Sequence, residues 1–160
     1  MEYEEKRIIG YSRERMFDVV ADAAEYKHFI PWCRDSTVFD SKDNTKLAKL
    51  SIGFPPIMES YTSRVIMLRP SIVKSTVICD NLFKTLETSF VFSEGKQPDT
   101  CHLHYHLQFE FKSSLHAQFA HLFFDKVVKA MVGAFLDRAE ELHGKPTIPH
   151  ENPQILHYQS

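Results

Sequence analysis

This 160-residue chain has few cysteines, little net charge and no long apolar run. Cys33, Cys79 and Cys101 are odd in number, far apart and without a C-x-x-C pair. That argues against a disulfide framework and a structural zinc site, and it suits a reducing compartment. A formal net charge of −2 gives no overall positive field to draw the chain to nucleic acid or an anionic bilayer. No segment approaches about 18 uninterrupted apolar residues, so no membrane-spanning helix is expected. Met1 to Ile9 mixes acidic and basic residues and does not read as a secretory signal. There are no internal repeats.

What is present is aromatic. Thirteen phenylalanines sit in a chain that is 43% hydrophobic and 25% charged, ordinary values for a globular domain. So many large rings require a bulky core or a lined cavity. "YKHFIPWCRDS", Tyr26 to Ser36, holds four aromatic rings, those of Tyr26, His28, Phe29 and the only tryptophan, around a proline that reads as a loop.

Local signals order the elements. Glu5 to Tyr11 reads as a first strand. Ser12 is a good helix N-cap ahead of Met16, Val19, Val20 and Ala23 at helical spacing. Asp22 followed by Glu25 resembles a capping box for a second short helix carrying Tyr26, Phe29 and Ile30, ended by Pro31. From Asp35 the period becomes two. Candidate strands are Ser36–Asp40, Lys46–Ile52, Ser60–Leu68, Ile72–Asp80, Thr85–Phe92 and Cys101–Phe111, separated by turn signals such as Phe54-Pro55-Pro56 and Asp80-Asn81. Such short connections imply antiparallel neighbours.

A helical repeat then runs through Leu115, Phe119, Leu122, Phe123, Val127, Met131, Phe135, Ala139 and Leu142, with Gly144 placed as its C-terminal cap. The predicted domain is 3–144, and 145–160 reads as an extended or disordered tail. The class is therefore α+β. A sheet of about seven antiparallel strands is too large to stay flat, and only the C-terminal helix can cross its apolar face. A bent sheet gripping one long helix leaves a gap between them, the candidate ligand site.

The order of elements resembles the helix-grip fold of the START and polyketide-cyclase superfamily. "YSRERMFDVVADAAEYKHFIPWCRDS", "IGFPPIMESYTSRV" and "FEFKSSLHAQFAHLFFDKVVKAMVGAF" resemble its mitochondrial coenzyme Q-binding branch over about residues 3 to 141. The resemblance implies ubiquinone or another polyprenyl quinone as bound ligand, no catalytic cofactor and no reaction. It also implies a chaperone or carrier role supporting respiration and quinone biosynthesis, peripheral at the matrix face of the mitochondrial inner membrane, with any presequence outside this chain. Implied partners are the quinone, the membrane surface, quinone-biosynthesis or respiratory complexes and a second copy of the chain; nucleic acid is not expected.

Inward positions that would line a quinone cavity are Tyr61, Val65, Leu86, Phe90, Tyr105, Leu107 and Phe109 from the strands, and Phe119, Phe123, Val127 and Met131 from the helix. Tyr61 and Tyr105 could donate hydrogen bonds to quinone carbonyls. For any one of these residues core packing is the simpler role; together the rings favour a cavity. Phe29, Pro31, Trp32, Phe54 and Pro55 would form its mouth or a membrane lip, although Trp32 equally suits a plug closing the core. Cys33 reads as a small buried residue.

Two readings compete. A related bacterial branch associates with the large ribosomal subunit, and glycine stands there where this chain has Trp32. The fold also hosts aromatases and cyclases, which need inward acid–base groups that these stripes lack. His102, His104 and His106 share a strand face that could hold zinc, but this is the face expected to be solvated. Asp22, Glu25 and His28 are more simply a cap and surface charges.

Overall fold

The computed structural model describes residues 1–78, 82–112 and 114–160. Cys79, the Asp80-Asn81 turn and the side chain of Leu115 lie outside the described residues. The strands are β1 (Glu2–Ile9), β2 (Cys33–Lys42), β3 (Thr45–Ile52), β4 (Ser60–Leu68), β5 (Ile72–Val77), β6 (Phe83–Glu94), β7 (Cys101–Phe111) and β8 (Gln154–Gln159). They form one antiparallel sheet in the order β2-β3-β4-β5-β6-β7-β1-β8. Alternation sets its two faces. Leu103, Tyr105, Leu107, Phe109 and Phe111 of β7 are buried, while the histidines between them are half-exposed.

α1 (Arg13–Ala21) follows β1, and the Ser12 hydroxyl accepts the Arg15 N–H at 3.3 Å, as its N-cap position predicts. Asp22 and Glu25 do not form a capping box. Ala23–His28 is a 3₁₀ turn without a side-chain cap, and Glu25 instead meets His28 and Arg138 at 3.6 and 3.7 Å.

The C-terminal helix is also not continuous. α2 (Ser114–Ala117) ends before α3 (Ala120–His143) begins. Leu122 and Leu142, placed on the buried stripe by spacing, are 61% and 53% exposed. Phe124, Val128, Val132 and Leu136 are buried instead. The buried face is wider than a single stripe because the sheet curves up along the helix. Gly144 ends α3 at φ 85°, and its N–H donates to the Glu140 carbonyl at 2.8 Å.

The tail, read as extended or disordered, is extended: it adds an eighth strand to the sheet. Thr147 N–H donates to the Gly10 carbonyl at 2.9 Å, and Gly10 N–H donates to Nε2 of His150 at 3.0 Å. A Cβ on Gly10 would sit 2.9 Å from the Thr147 and Ile148 backbone nitrogens, so this crossing requires glycine. Every residue of β8 is exposed. Its ring contacts with the core are those of Tyr158, edge-on to Tyr3 and Phe124 with centroids 5.5 Å apart, and one such residue sets up no hydrophobic alternation.

His150 makes this anchor pH-sensitive. Burial, and secondarily the nearby Arg7 charge, hold its pKa below the ordinary 6.5, and the ring accepts the Gly10 N–H only when unprotonated. The unfolded ring takes up a proton as pH falls through about 6.5 while the docked ring resists. The anchor's contribution, complete above that pH, is therefore lost as pH falls through the folded value. Hydrogen-exchange protection of the Gly10 and Thr147 amides should drop on acidification before that of α3; equal loss in both would refute the assignment.

Candidate functional site

The gap lies over one half of the sheet. Its floor is the inner face of β3 (Ala48, Leu50, Ile52), β4 (Tyr61, Ser63, Val65), β5 (Val73, Ser75) and β6 (Phe83, Leu86, Thr88, Phe90), with Leu107 and Phe109 of β7 at its side. Phe123, Val127 and Met131 of α3 form the roof, and Ala23, Tyr26 and Trp32 close one end. Its volume is ≈70 Å³, well under the expected ~300–1,000 Å³ of a ligand-sized pocket and about half the ~150 Å³ of a cavity that admits benzene. The protein's own rings account for the shortfall. Phe123 packs edge-on to Trp32 with centroids 6.3 Å apart, and lies 5.3 Å from Phe54.

A second void of ≈30 Å³ adjoins it, reaching Cys33 and Ser51. Tyr26, Trp32, Leu50, Ile52, Tyr61 and Met131 line both, so these side chains form the partition. Tyr26 and Met131 are half-buried and Tyr26 donates to the Val20 carbonyl; burial pushes its phenol pKa up and keeps it neutral.

Nine residues expected to line a cavity do so: Tyr61, Val65, Leu86, Phe90, Leu107, Phe109, Phe123, Val127 and Met131. Tyr105 and Phe119 do not. Tyr105 is 0% exposed, its ring 4.7 Å from Phe90 and 6.2 Å from Tyr3, in the half of the sheet that α3 covers directly. Among the described residues its hydroxyl has no hydrogen-bond partner. Phe119 occupies the break between α2 and α3, where it can no longer follow the helical stripe.

The mouth residues also divide. Trp32 is 8% exposed and walls the cavity rather than projecting from it. Its carbonyl accepts the Gly53 N–H at 2.8 Å, tying the Pro31–Cys33 turn to the Phe54-Pro55-Pro56-Ile57 turn. Pro31, Pro55, Pro56 and Met58 are exposed beside this tie. Phe29 faces elsewhere, against Tyr26, Phe135 and the Arg138 guanidinium.

Alternation along β3 could have revealed Ala48, Leu50 and Ile52. The same alternation places Ser63 between Tyr61 and Val65, Ser75 between Val73 and Val77, and Thr88 between Leu86 and Phe90 on the inward face, although being polar they carry no apolar signal of their own. Ser63 is buried and Ser75 and Thr88 are half-buried, and among the described residues no hydrogen bond engages these three hydroxyls. Among the described residues no carboxylate, imidazole or amine lines the cavity; its polar side-chain groups are these hydroxyls, two phenols and the Trp32 indole N–H.

The other titratable groups lie outside it. Among the described residues, no three His, Cys, Asp or Glu residues are grouped to hold a metal. His104 and His106 of the outer face pair with Glu4 and Glu2. Burial lifts the Cys33 thiol to about 11, leaving it protonated and unreactive at neutral pH. A larger groove of ≈810 Å³ runs between the tail and the outer ends of β1, β6 and β7. It is lined by Lys6, Arg7, His102, His104 and Glu151 together with Ile8, Val91, Ile148 and Pro149, a mixed charged and apolar groove along the tail.

A curved sheet closed by one long helix over an apolar cavity defines a helix-grip protein, the architecture of START and polyketide-cyclase domains. The chain belongs to the family described as polyketide cyclase / dehydrase and lipid transport, whose model matches residues 9–136. It is 44% identical over 152 residues to Coenzyme Q-binding protein COQ10 homolog B, mitochondrial, of Xenopus laevis, covering 93% of this chain and 62% of that protein. It is 37% identical over 148 residues to Coenzyme Q-binding protein COQ10, mitochondrial, of Drosophila melanogaster, covering 91% and 61%. The chain thus spans about three fifths of these two relatives. Ribosome association toxin RatA of Escherichia coli is 29% identical over 137 residues, covering 85% of each chain. The Zhui aromatase/cyclase of Streptomyces superposes with a TM-score of 0.75, covering 88% of this chain and 94% of that one; at 12% identity the likeness is of fold alone.

Proposed function

We propose that this chain is a non-catalytic binding protein for a polyprenyl quinone of the ubiquinone type. It would act as chaperone or carrier in quinone biosynthesis and respiration, at the matrix face of the mitochondrial inner membrane. The observation that carries the reading is the cavity, floored by strands and roofed by phenylalanine and methionine, in a chain so similar to proteins named for coenzyme Q binding. The lack of acid–base side chains in its lining supports binding without chemistry.

Magnitudes limit the mechanism. Moving one five-carbon isoprene unit out of water gains about 4 kcal/mol, at ~0.8 kcal/mol per carbon. A tail arriving from a bilayer is already in an apolar medium and gains almost nothing. With ≈70 Å³ free, the site must open by shifting Met131, Tyr61 and the α3 roof to admit even the ring. The tail stays outside, in the bilayer or against a partner. The exposed Pro31, Pro55, Pro56 and Met58 beside Trp32 give such a lip an apolar surface for the membrane.

Lipid extracted from the purified protein should contain a polyprenyl quinone by mass spectrometry, and the protein should move quinone between vesicles. No quinone in the extract and transfer no faster than the protein-free blank would overturn the reading. The likeness to RatA favours a second one, an interaction with ribosomes; co-sedimentation with large ribosomal subunits in place of quinone binding would select it.

A further inference from the structure

We propose that the hydroxyls of Ser63, Ser75 and Thr88 recognise the oxygens of the ligand's ring, fixing the ring on the sheet floor with its tail directed out past Trp32. The inference rests on the quinone-binding reading and adds where, and by which groups, the head is read.

Three observations converge. Register comes first. Ser75 of β5 stands directly opposite Thr88 of β6, while Ser63 of β4 pairs with Val77 and so lies diagonal to Ser75. Opposed positions place Cβ atoms about 4.5–5.5 Å apart and diagonal ones about 7–8 Å. The three hydroxyls therefore cover a patch comparable with one six-membered ring and its substituents.

The second is the unmet hydrogen-bonding capacity. All three residues line the cavity, and no hydrogen bond among the described residues engages their hydroxyls. They stand among Val65, Val73, Phe90 and Leu107, all buried and apolar. Alanine or valine would fill such floor positions without leaving a polar group unmet.

The third is the chemistry of the set. With no charged group in the lining, the match is to neutral oxygens: carbonyls, ethers or phenols. A hydroxyl both donates and accepts, so the same strip serves a quinone's carbonyls and a quinol's O–H groups.

Depth gives the orientation. Tyr61 is the first inward residue of β4 after the Phe54–Ile57 turn, Ser63 the second, and Ser75 and Thr88 fall on the row of Val65 behind them. A ring on the strip therefore lies deeper than Tyr61, and its tail points back along the floor toward the end that Tyr61 and Trp32 wall.

Isothermal titration would compare a dimethoxy-methyl-benzoquinone bearing a short isoprenoid chain with the same chain on an unsubstituted benzene ring. Each is titrated into the full chain and into the S63A/S75A/T88V variant. The wild type should prefer the quinone by about tenfold, the loss of one or two neutral hydrogen bonds. The variant should bind both within about twofold, hold the benzene compound as the wild type does, and melt no lower than the wild type. A variant that keeps the preference, or loses both ligands equally, overturns the inference while leaving quinone binding intact. A wild type that binds only without preference does the same, and one that binds neither takes the underlying reading down too. If the triple variant does not fold, Ser75→Ala and Thr88→Val singly are read by the same criteria.

Discussion

Phe109→Ala is expected to lower the unfolding free energy by about 3–5 kcal/mol, and the melting temperature by roughly 10 °C for a domain of this size. Phe109 is 1% exposed, and its ring lies 5.5–6.0 Å from those of Phe83, Phe111, Phe123 and Phe124. It joins the sheet floor to the helix roof. The neighbours are themselves interlocked rings on regular elements, so they relax little into the space left behind and the cavity cost is retained. Denaturant titration with unchanged slope reads the loss directly. A loss below about 1 kcal/mol would mean the site closes up, and the rigid floor would have to be given up. The void also enlarges the cavity, so quinone affinity should hold or rise while stability falls.

The second large effect lies where no apolar pattern points. Glu5 is fully buried on the inner side of β1 and receives two hydrogen bonds from the Arg7 guanidinium, whose side chain is 16% exposed. Arg7→Met leaves that carboxylate without its cation and should cost about 3–5 kcal/mol. Converting both partners, as in Glu5→Leu with Arg7→Met, should recover most of the loss, because two well-packed apolar side chains no longer need each other. The recovery in a double-mutant cycle is the diagnostic measurement. If Arg7→Met alone costs as little as an exposed substitution, within about 0.5 kcal/mol, Glu5 is reaching water and its burial is not what the geometry shows.

Glu5 also shows how far pattern reading reaches. Alternation on β7 places Leu103, Leu107 and Phe109 inward and the histidines outward, as the structure has them. The same rule puts Glu5 and Arg7 inward on β1, beside Tyr105 and Leu103, but a charged pair at core positions looks like noise until the partner's distance is known. The helix repeat located the roof through Phe123, Val127 and Met131 and misplaced Leu122 and Leu142. A periodicity fixes the centre of a buried face, while the neighbouring surface sets its width. The tail carries less signal still. β8 is held by backbone pairing, by the close approach of Thr147 to Gly10 and by the single ring of Tyr158 against Tyr3 and Phe124, and none of these leaves a periodic hydrophobic trace.

What the residues alone determined was the architecture and which side chains of the strands face inward. Period two followed by period 3.6 forces a sheet crossed by a helix, and alternation assigns each side chain a face whatever the three-dimensional detail. What only the tertiary structure decided was how much room remains, which half of the sheet it lies over, and whether a residue such as Tyr105 or Trp32 meets the hollow, the core or the solvent. Those outcomes depend on how rings from distant segments share one small volume: shifting a phenylalanine by a fraction of its width opens or closes the space, and no local sequence pattern records that distance.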